Sequence, residues 1–148
     1  MGTEILLLLT DKWNDWEASY VIAVAKSFSD YKVKTIGINK EPKISMGGIR
    51  ANIDYSIDEY EDFSNLSILI LPGGLSWMDS EYDEIASFVK QVEIQNVTIA
   101  AICGSSHFLC RKGFLNDKKH TGDSFELFNN TEGYDGSKLY IESQVVFD

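Results

Sequence analysis

The stretch Val97-Thr98-Ile99-Ala100-Ala101-Ile102-Cys103-Gly104-Ser105-Ser106 decides the fold. Its first six residues form a largely apolar run, as in a strand buried on both faces of a parallel sheet. Helical spacing starts at Gly104 and reaches about Lys112, so strand and helix are joined with almost no loop. The same grammar recurs upstream. Ser67-Ile68-Leu69-Ile70-Leu71 is a second buried strand, ending in Pro72-Gly73-Gly74. A helix over residues 80–94 follows it, with Tyr82, Ile85, Phe88, Val89 and Val92 as its apolar stripe. Residues 5–9, all Ile or Leu, and residues 33–38 read as two further strands. Between them lies a helix from Asp15 or Trp16 to about Ser29, with Trp16, Tyr20, Ala23, Val24 and Ser27 on one face.

Met46-Gly47-Gly48 interrupts two short extended pieces, and Ile49, Ala51, Ile53 and Tyr55 alternate after it. That pattern predicts a small hairpin or an excursion at the sheet edge. Four strand–helix units with short loops specify a doubly wound α/β/α sandwich around a mostly parallel sheet. Beyond Gly113 the pattern weakens: residues 124–128 read as a helical turn, and 139–141 and 145–147 as short strands. With 148 residues and no Gly/Ser-rich or repetitive linker, residues 1–148 form one domain.

Thirteen basic residues stand against 23 acidic ones, a formal charge of −10. Such a chain repels phosphate backbones and anionic lipid surfaces, which excludes nucleic acid and membrane as its main partners. The apolar run at residues 5–9 is too short for a signal peptide and no stretch approaches a membrane span, so the expected compartment is the cytoplasm. Two cysteines, Cys103 and Cys110, are too few and too widely spaced for a metal knuckle or a CxxC pair. Seven residues apart on one helix they would stand about 10 Å from each other, too far to bridge. The sequence therefore calls for no cofactor and no metal.

In open α/β sheets ligands bind at the C-terminal ends of the strands. Three strand ends here carry chemistry: the Asp11 to Glu17 segment, Pro72-Gly73-Gly74, and Cys103-Gly104. At a strand–turn–helix elbow Cys103 would project over this rim, with Gly104 giving room for the tight turn. The helix N-terminus would then lower the thiol pKa. Cys103 equally fits an inert buried position, free cysteine being among the most buried types. Cys110 reads as core or helix surface. Glu17 is either a helix-start acid or a carboxyl meeting the cysteine, and Asp15 suits the helix cap. Gly73 and Gly74 form a turn or aim N–H groups at a developing oxyanion, Gly104 supplying a second donor. A thiol nucleophile wants a base, and the two histidines, His120 and the less well placed His107, are the candidates. Trp13, Trp16 and Trp77 flank the rim as pocket walls or as core.

Leu71-Pro72-Gly73-Gly74, Ala100-Ala101-Ile102-Cys103-Gly104, Gly113-Phe114-Leu115, Lys118-Lys119-His120-Thr121 and Asp15-Trp16-Glu17 together resemble the ThiJ/PfpI (DJ-one) superfamily. The resemblance spans residues 5–147. It implies a flavodoxin-like, glutamine amidotransferase-like fold, with Cys103 as elbow nucleophile and Glu17 as a protonated acid hydrogen-bonded to it. Gly74 and Gly104 would be the oxyanion donors. Gly104 stands where protease-like members carry His, and the histidine of some other members aligns nearer to Asp123 than to His120. Members also continue past the position of Asp148 into a strand and a C-terminal helix, which predicts a homodimer or larger oligomer covering the open sheet.

The activity expected is that of a cysteine-dependent hydrolase, lyase or hydratase on a small carbonyl or amide-like substrate, in the protease/amidase, glyoxalase or deglycase class. A non-catalytic, redox-sensing stress-response protein using an oxidisable Cys103 is the alternative. A glutamine amidotransferase-like protein is the third.

Overall fold

The computed structural model describes residues 3–148; the first two residues of the 1–148 domain lie outside it. Five strands form one parallel sheet: β1 (Glu4–Leu8), β2 (Lys32–Gly37), β5 (Tyr55–Ser56), β6 (Leu66–Leu71) and β7 (Thr98–Ala101). Their order is β5-β2-β1-β6-β7, with β1 at the centre. The chain leaves β1 for β2 on one side and returns to β6 on the other. This reversal opens a crevice beyond the C-terminal ends of β1 and β6, where α/β proteins bind ligands.

The sheet has a core on each face because neighbouring strand residues point opposite ways. Leu6, Leu8, Leu69 and Leu71 face one layer, with Ile85, Phe88, Val89 and Val92 of α3 (Asp83–Ile94) and Phe108 of α4 (Gly104–Arg111). Ile5, Leu7, Leu9 and Ile70 face the other, where α1 (Asp15–Phe28) packs through Ala18, Ile22 and Ala25. This reverses the expected orientation of α1. Trp16 is 61% exposed and Tyr20 82%, since the small residues of the opposite face let the helix lie close on the sheet.

The residue 46–48 turn joins β3 (Lys43–Ile44) to β4 (Arg50–Ala51) in an antiparallel hairpin beside the sheet. Asp15 ties that hairpin to α1: its carboxylate accepts from the Ser45 hydroxyl and from Gly47 N–H at 2.9 Å. Asp15 is thus the first helical residue rather than the cap, which is Asn14. A short α2 (Ser76–Asp79) precedes α3, and α5 (Phe125–Asn129) follows the loop after α4. The strands expected at 139–141 and 145–147 are absent from the described structure: Ser137–Leu139 is a 3-10 turn and Tyr140 makes an isolated bridge to His120. Val145 and Phe147 are 77% and 84% exposed, so nothing packs on them to hold a strand.

Candidate active site

Cys103 stands between β7 and α4 with φ 56° and ψ −125°, a conformation that costs a non-glycine residue about 1–3 kcal/mol. Two hydroxyls fix it. Ser105 Oγ donates to the Leu71 carbonyl at 2.6 Å and accepts from Ile102 N–H at 2.9 Å, tying the elbow to the end of β6. Ser106 Oγ donates to the Cys103 carbonyl at 2.6 Å. Held in this way, the half-buried free cysteine sits at the C-terminal end of β7.

Glu17 reaches the same rim from the first turn of α1. Its Oε1 accepts from Asn14 Nδ2 at 2.7 Å and its Oε2 from Gly73 N–H at 2.6 Å. A Cβ on Gly73 would lie 2.8 Å from the Cys103 Cβ and 3.0 Å from Glu17 Oε1, so these side chains converge where Gly73 has none. The hydrogen bond to Cys103 implied by the resemblance is not among those Glu17 makes; its carboxylate acts on the sulfur through charge. Gly74 has φ 154° and bridges to Trp13, leaving only 2.6 Å between a would-be Cβ and the Lys12 carbonyl. The hydrogen bond across that bridge runs from Asn14 N–H to the Gly73 carbonyl at 3.0 Å. Gly74's own N–H is therefore not spent on it.

Burial pushes the Cys103 thiol up to about 11, and the Asp123 carboxylate pushes the same way, with Glu17 adding less. These outweigh the Gly104 N–H, which pulls the pKa down. The lowered pKa expected at the helix N-terminus is thereby reversed. Cys110 is fully buried and its thiol is also pushed up to about 11, by burial first.

His120 does not face the sulfur with a free nitrogen. It is buried, with Nδ1 2.7 Å from the Lys118 carbonyl and Nε2 2.7 Å from the Tyr134 hydroxyl. His107 lies one turn along α4 from Cys103, with Nε2 3.0 Å from Thr131 Oγ1 and a buried Nδ1 that has no partner. Burial and the Arg111 charge lower its pKa, opposed by Asp123. Trp77 is core, donating its indole N–H to the Pro72 carbonyl at 2.8 Å; Trp13 is buried and Trp16 exposed. Among the described residues no group of three or more His, Cys, Asp or Glu is placed to hold a metal ion. No helix there is long and apolar enough to cross a membrane.

Asp123, Asn14 and Ser105 are the residues that sequence reasoning left out of the site. The resemblance had marked the Asp123 position, where some members carry a histidine, and the pair of serines directly after the elbow offered a local signal, as hydroxyls able to cap a tight turn.

A parallel doubly wound sheet flanked by helices, with a strained cysteine between β7 and α4 at its C-terminal rim, defines a three-layer α/β sandwich of flavodoxin-like class. The chain belongs to the DJ-1/PfpI family, whose model matches residues 3–148. It is 33% identical over 144 residues to the uncharacterized protease YdeA of Bacillus subtilis, covering 97% of this chain and 71% of that protein. Identity to YoaZ of the same organism, also named an uncharacterized protease, is 32% over 153 residues, covering 98% and 72%. Among solved structures, a thiJ/pfpI family protein from Bacillus anthracis superposes with TM-score 0.87 at 31% identity, over 100% of this chain and 73% of that one. The DJ-1 superfamily protein Atu0886 from Agrobacterium tumefaciens gives TM-score 0.87 at 29% identity, over 95% and 74%.

Proposed function

We propose that the protein is a cysteine-dependent hydrolase or lyase acting on a small carbonyl or amide-like substrate. The observation that carries this is the elbow at Cys103, where a strained non-glycine backbone is clamped by two serine hydroxyls with its Cβ packed against Gly73 beside the Glu17 carboxylate. An inert core cysteine needs no such conformation; Cys110, fully buried inside α4, has none. Sulfur would add to the electrophilic carbon while the N–H groups of Gly104 and Gly74 stabilise the developing oxyanion. Glu17 fixes the Gly73 strand end against that site. The protease names of the relatives fit an amide as one such substrate.

Association of two copies belongs to the proposal, since Trp16, Tyr20, Val24 and Phe28 leave an apolar stripe on the outer face of α1. Sedimentation at micromolar concentration tests it, and a monomer would remove it. A panel of aldehydes, amides, esters and isonitriles, assayed with wild type and Cys103→Ser, tests the activity. Turnover lost in the variant is expected; wild-type turnover in Cys103→Ser would end the proposal.

A further inference from the structure

Asn14-Asp15-Trp16-Glu17 has the spacing of a capping box, with Asn14 at the N-cap of α1 and Glu17 three residues on. In that motif the cap side chain accepts from the third residue's N–H, and the acid reaches back to the cap's own N–H. Neither bond is made here. The Asn14 side chain does not cap the helix, and its N–H goes instead to the Gly73 carbonyl at 3.0 Å. Glu17 N–H turns to the Asn14 backbone carbonyl at 3.4 Å.

Both side chains are redirected to the rim. Asn14 Nδ2 donates to Glu17 Oε1 at 2.7 Å, and Gly73 N–H donates to Glu17 Oε2 at 2.6 Å. With the Asn14 N–H on the Gly73 carbonyl, these bonds close a ring through Asn14, Glu17 and Gly73. The ring lies against the thiol residue. Cys103 Cβ, Asn14 Nδ2 and Glu17 Oε1 all fall within 3.0 Å of the point where a Gly73 Cβ would stand.

This arrangement works against stability. Asn14 is 6% exposed and its Oδ1 is buried without a partner, a costly state for an acceptor, and the helix cap is forgone as well. Serine caps a helix as well as asparagine does. What serine lacks is an amide that reaches Glu17, so the Nδ2 donor is what this position supplies.

We propose that Asn14 is a positioning residue for the Cys103 site: its amide holds the Glu17 carboxylate on the Gly73 N–H and so keeps it from taking the thiol's hydrogen bond. This rests on Cys103 being the nucleophile. A thiol that donates to a carboxylate keeps its proton, whereas the thiolate is the form that attacks. Asn14 thus leaves the sulfur more reactive than an untethered Glu17 would, while the carboxylate still braces Gly73 beyond the end of β6.

The test follows iodoacetamide alkylation of the full chain against pH, with the labelled peptide mapped and the melting temperature recorded. In Asn14→Ser, alkylation of Cys103 at neutral pH should fall roughly threefold or more and the profile should move to higher pH, while Tm holds or rises. In a Glu17→Gln background the same substitution should change the rate by less than about twofold, because no carboxylate remains to be released. A purely structural role for Asn14 would give the same change in both backgrounds and would overturn the proposal. So would a profile that stays in place or moves to lower pH in Asn14→Ser. Should that variant not fold, Asn14→Asp, isosteric and an equal cap but without the donor, carries the same expected shift to higher pH. Label on Cys110 rather than Cys103 in the wild type would instead overturn the nucleophile on which the proposal rests.

Discussion

One methyl group added at Gly73 probes how tightly the ends of β6 and β7 must pack. In Gly73→Ala the new Cβ would stand 2.8 Å from the Cys103 Cβ, 3.0 Å from Asn14 Nδ2 and 3.0 Å from Glu17 Oε1. Carbon–carbon contacts are best at about 3.5–4.0 Å, so roughly 1 Å must be found. None of the neighbours is a loose end. The Cys103 Cβ is set by a clamped backbone, while Gly73 itself is held from both sides: its N–H by Glu17 at 2.6 Å, its carbonyl by Asn14 N–H at 3.0 Å. Overpacking of this kind costs about 1–3 kcal/mol. For a chain of this length that lowers Tm by roughly 3–10 °C. Differential scanning calorimetry reads it, with Gly104→Ala for comparison. There the Cβ would meet the Gly74 carbonyl at 3.1 Å and Trp77 at 3.6 Å, a milder crowding that helix propensity offsets. Alkylation of Cys103 should change in Gly73→Ala, because sulfur and Glu17 must separate. A Tm within about 1 °C of wild type together with unchanged thiol reactivity would refute the close convergence at Gly73.

Alkali should destabilise the protein. The Cys103 thiol is pushed up to about 11 from an ordinary 9.0, so the unfolded chain releases that proton first, and stability present below pH 9.0 is lost toward pH 11. Denaturant titrations should show Cys103→Ala losing less across that window than wild type. His107 works in the opposite direction: burial lowers its pKa from 6.5, so stability present above pH 6.5 falls as acid is added. His107→Gln should flatten that acid limb in the same titrations. Phe128→Ala removes a fully buried ring from between two histidines and Tyr134, and should cost about 3–5 kcal/mol by urea unfolding.

The central strands were legible because a parallel sheet buries both faces and writes itself as continuous apolar runs. Residues 5–9 and 67–71 come within a residue or two of β1 and β6. The orientation of α1 was not legible. Periodicity locates a helical face but not which face packs, and the larger Trp16 and Tyr20 outweighed Ala18, Ile22 and Ala25 on paper. At the C-terminus, short apolar runs were indistinguishable from strands until their lack of packing partners was visible.

The candidate site divides in the same way. Cys103, Gly104, Gly74 and Glu17 sit at strand ends, and topology brings strand ends to one rim. Asp123 bears on the thiol by charge from the loop after α4, whose Gly122 lies against Phe128, a contact that no local pattern announces. The direction of the thiol's shift was also hidden. A helix N-terminus can be read from the chain, but burial and two carboxylates converging from distant segments cannot.

Trapping the acyl group is the most direct measurement. Protein mixed with 4-nitrophenyl acetate, quenched in acid and digested, is mapped by mass spectrometry for the residue that carries the thioester. An acetyl group on the peptide containing Cys103, at its sulfur and in preference to Cys110, is the expected result. Acetyl on Cys110, or thiols that both remain unmodified while ester is consumed, would contradict Cys103 as the nucleophile.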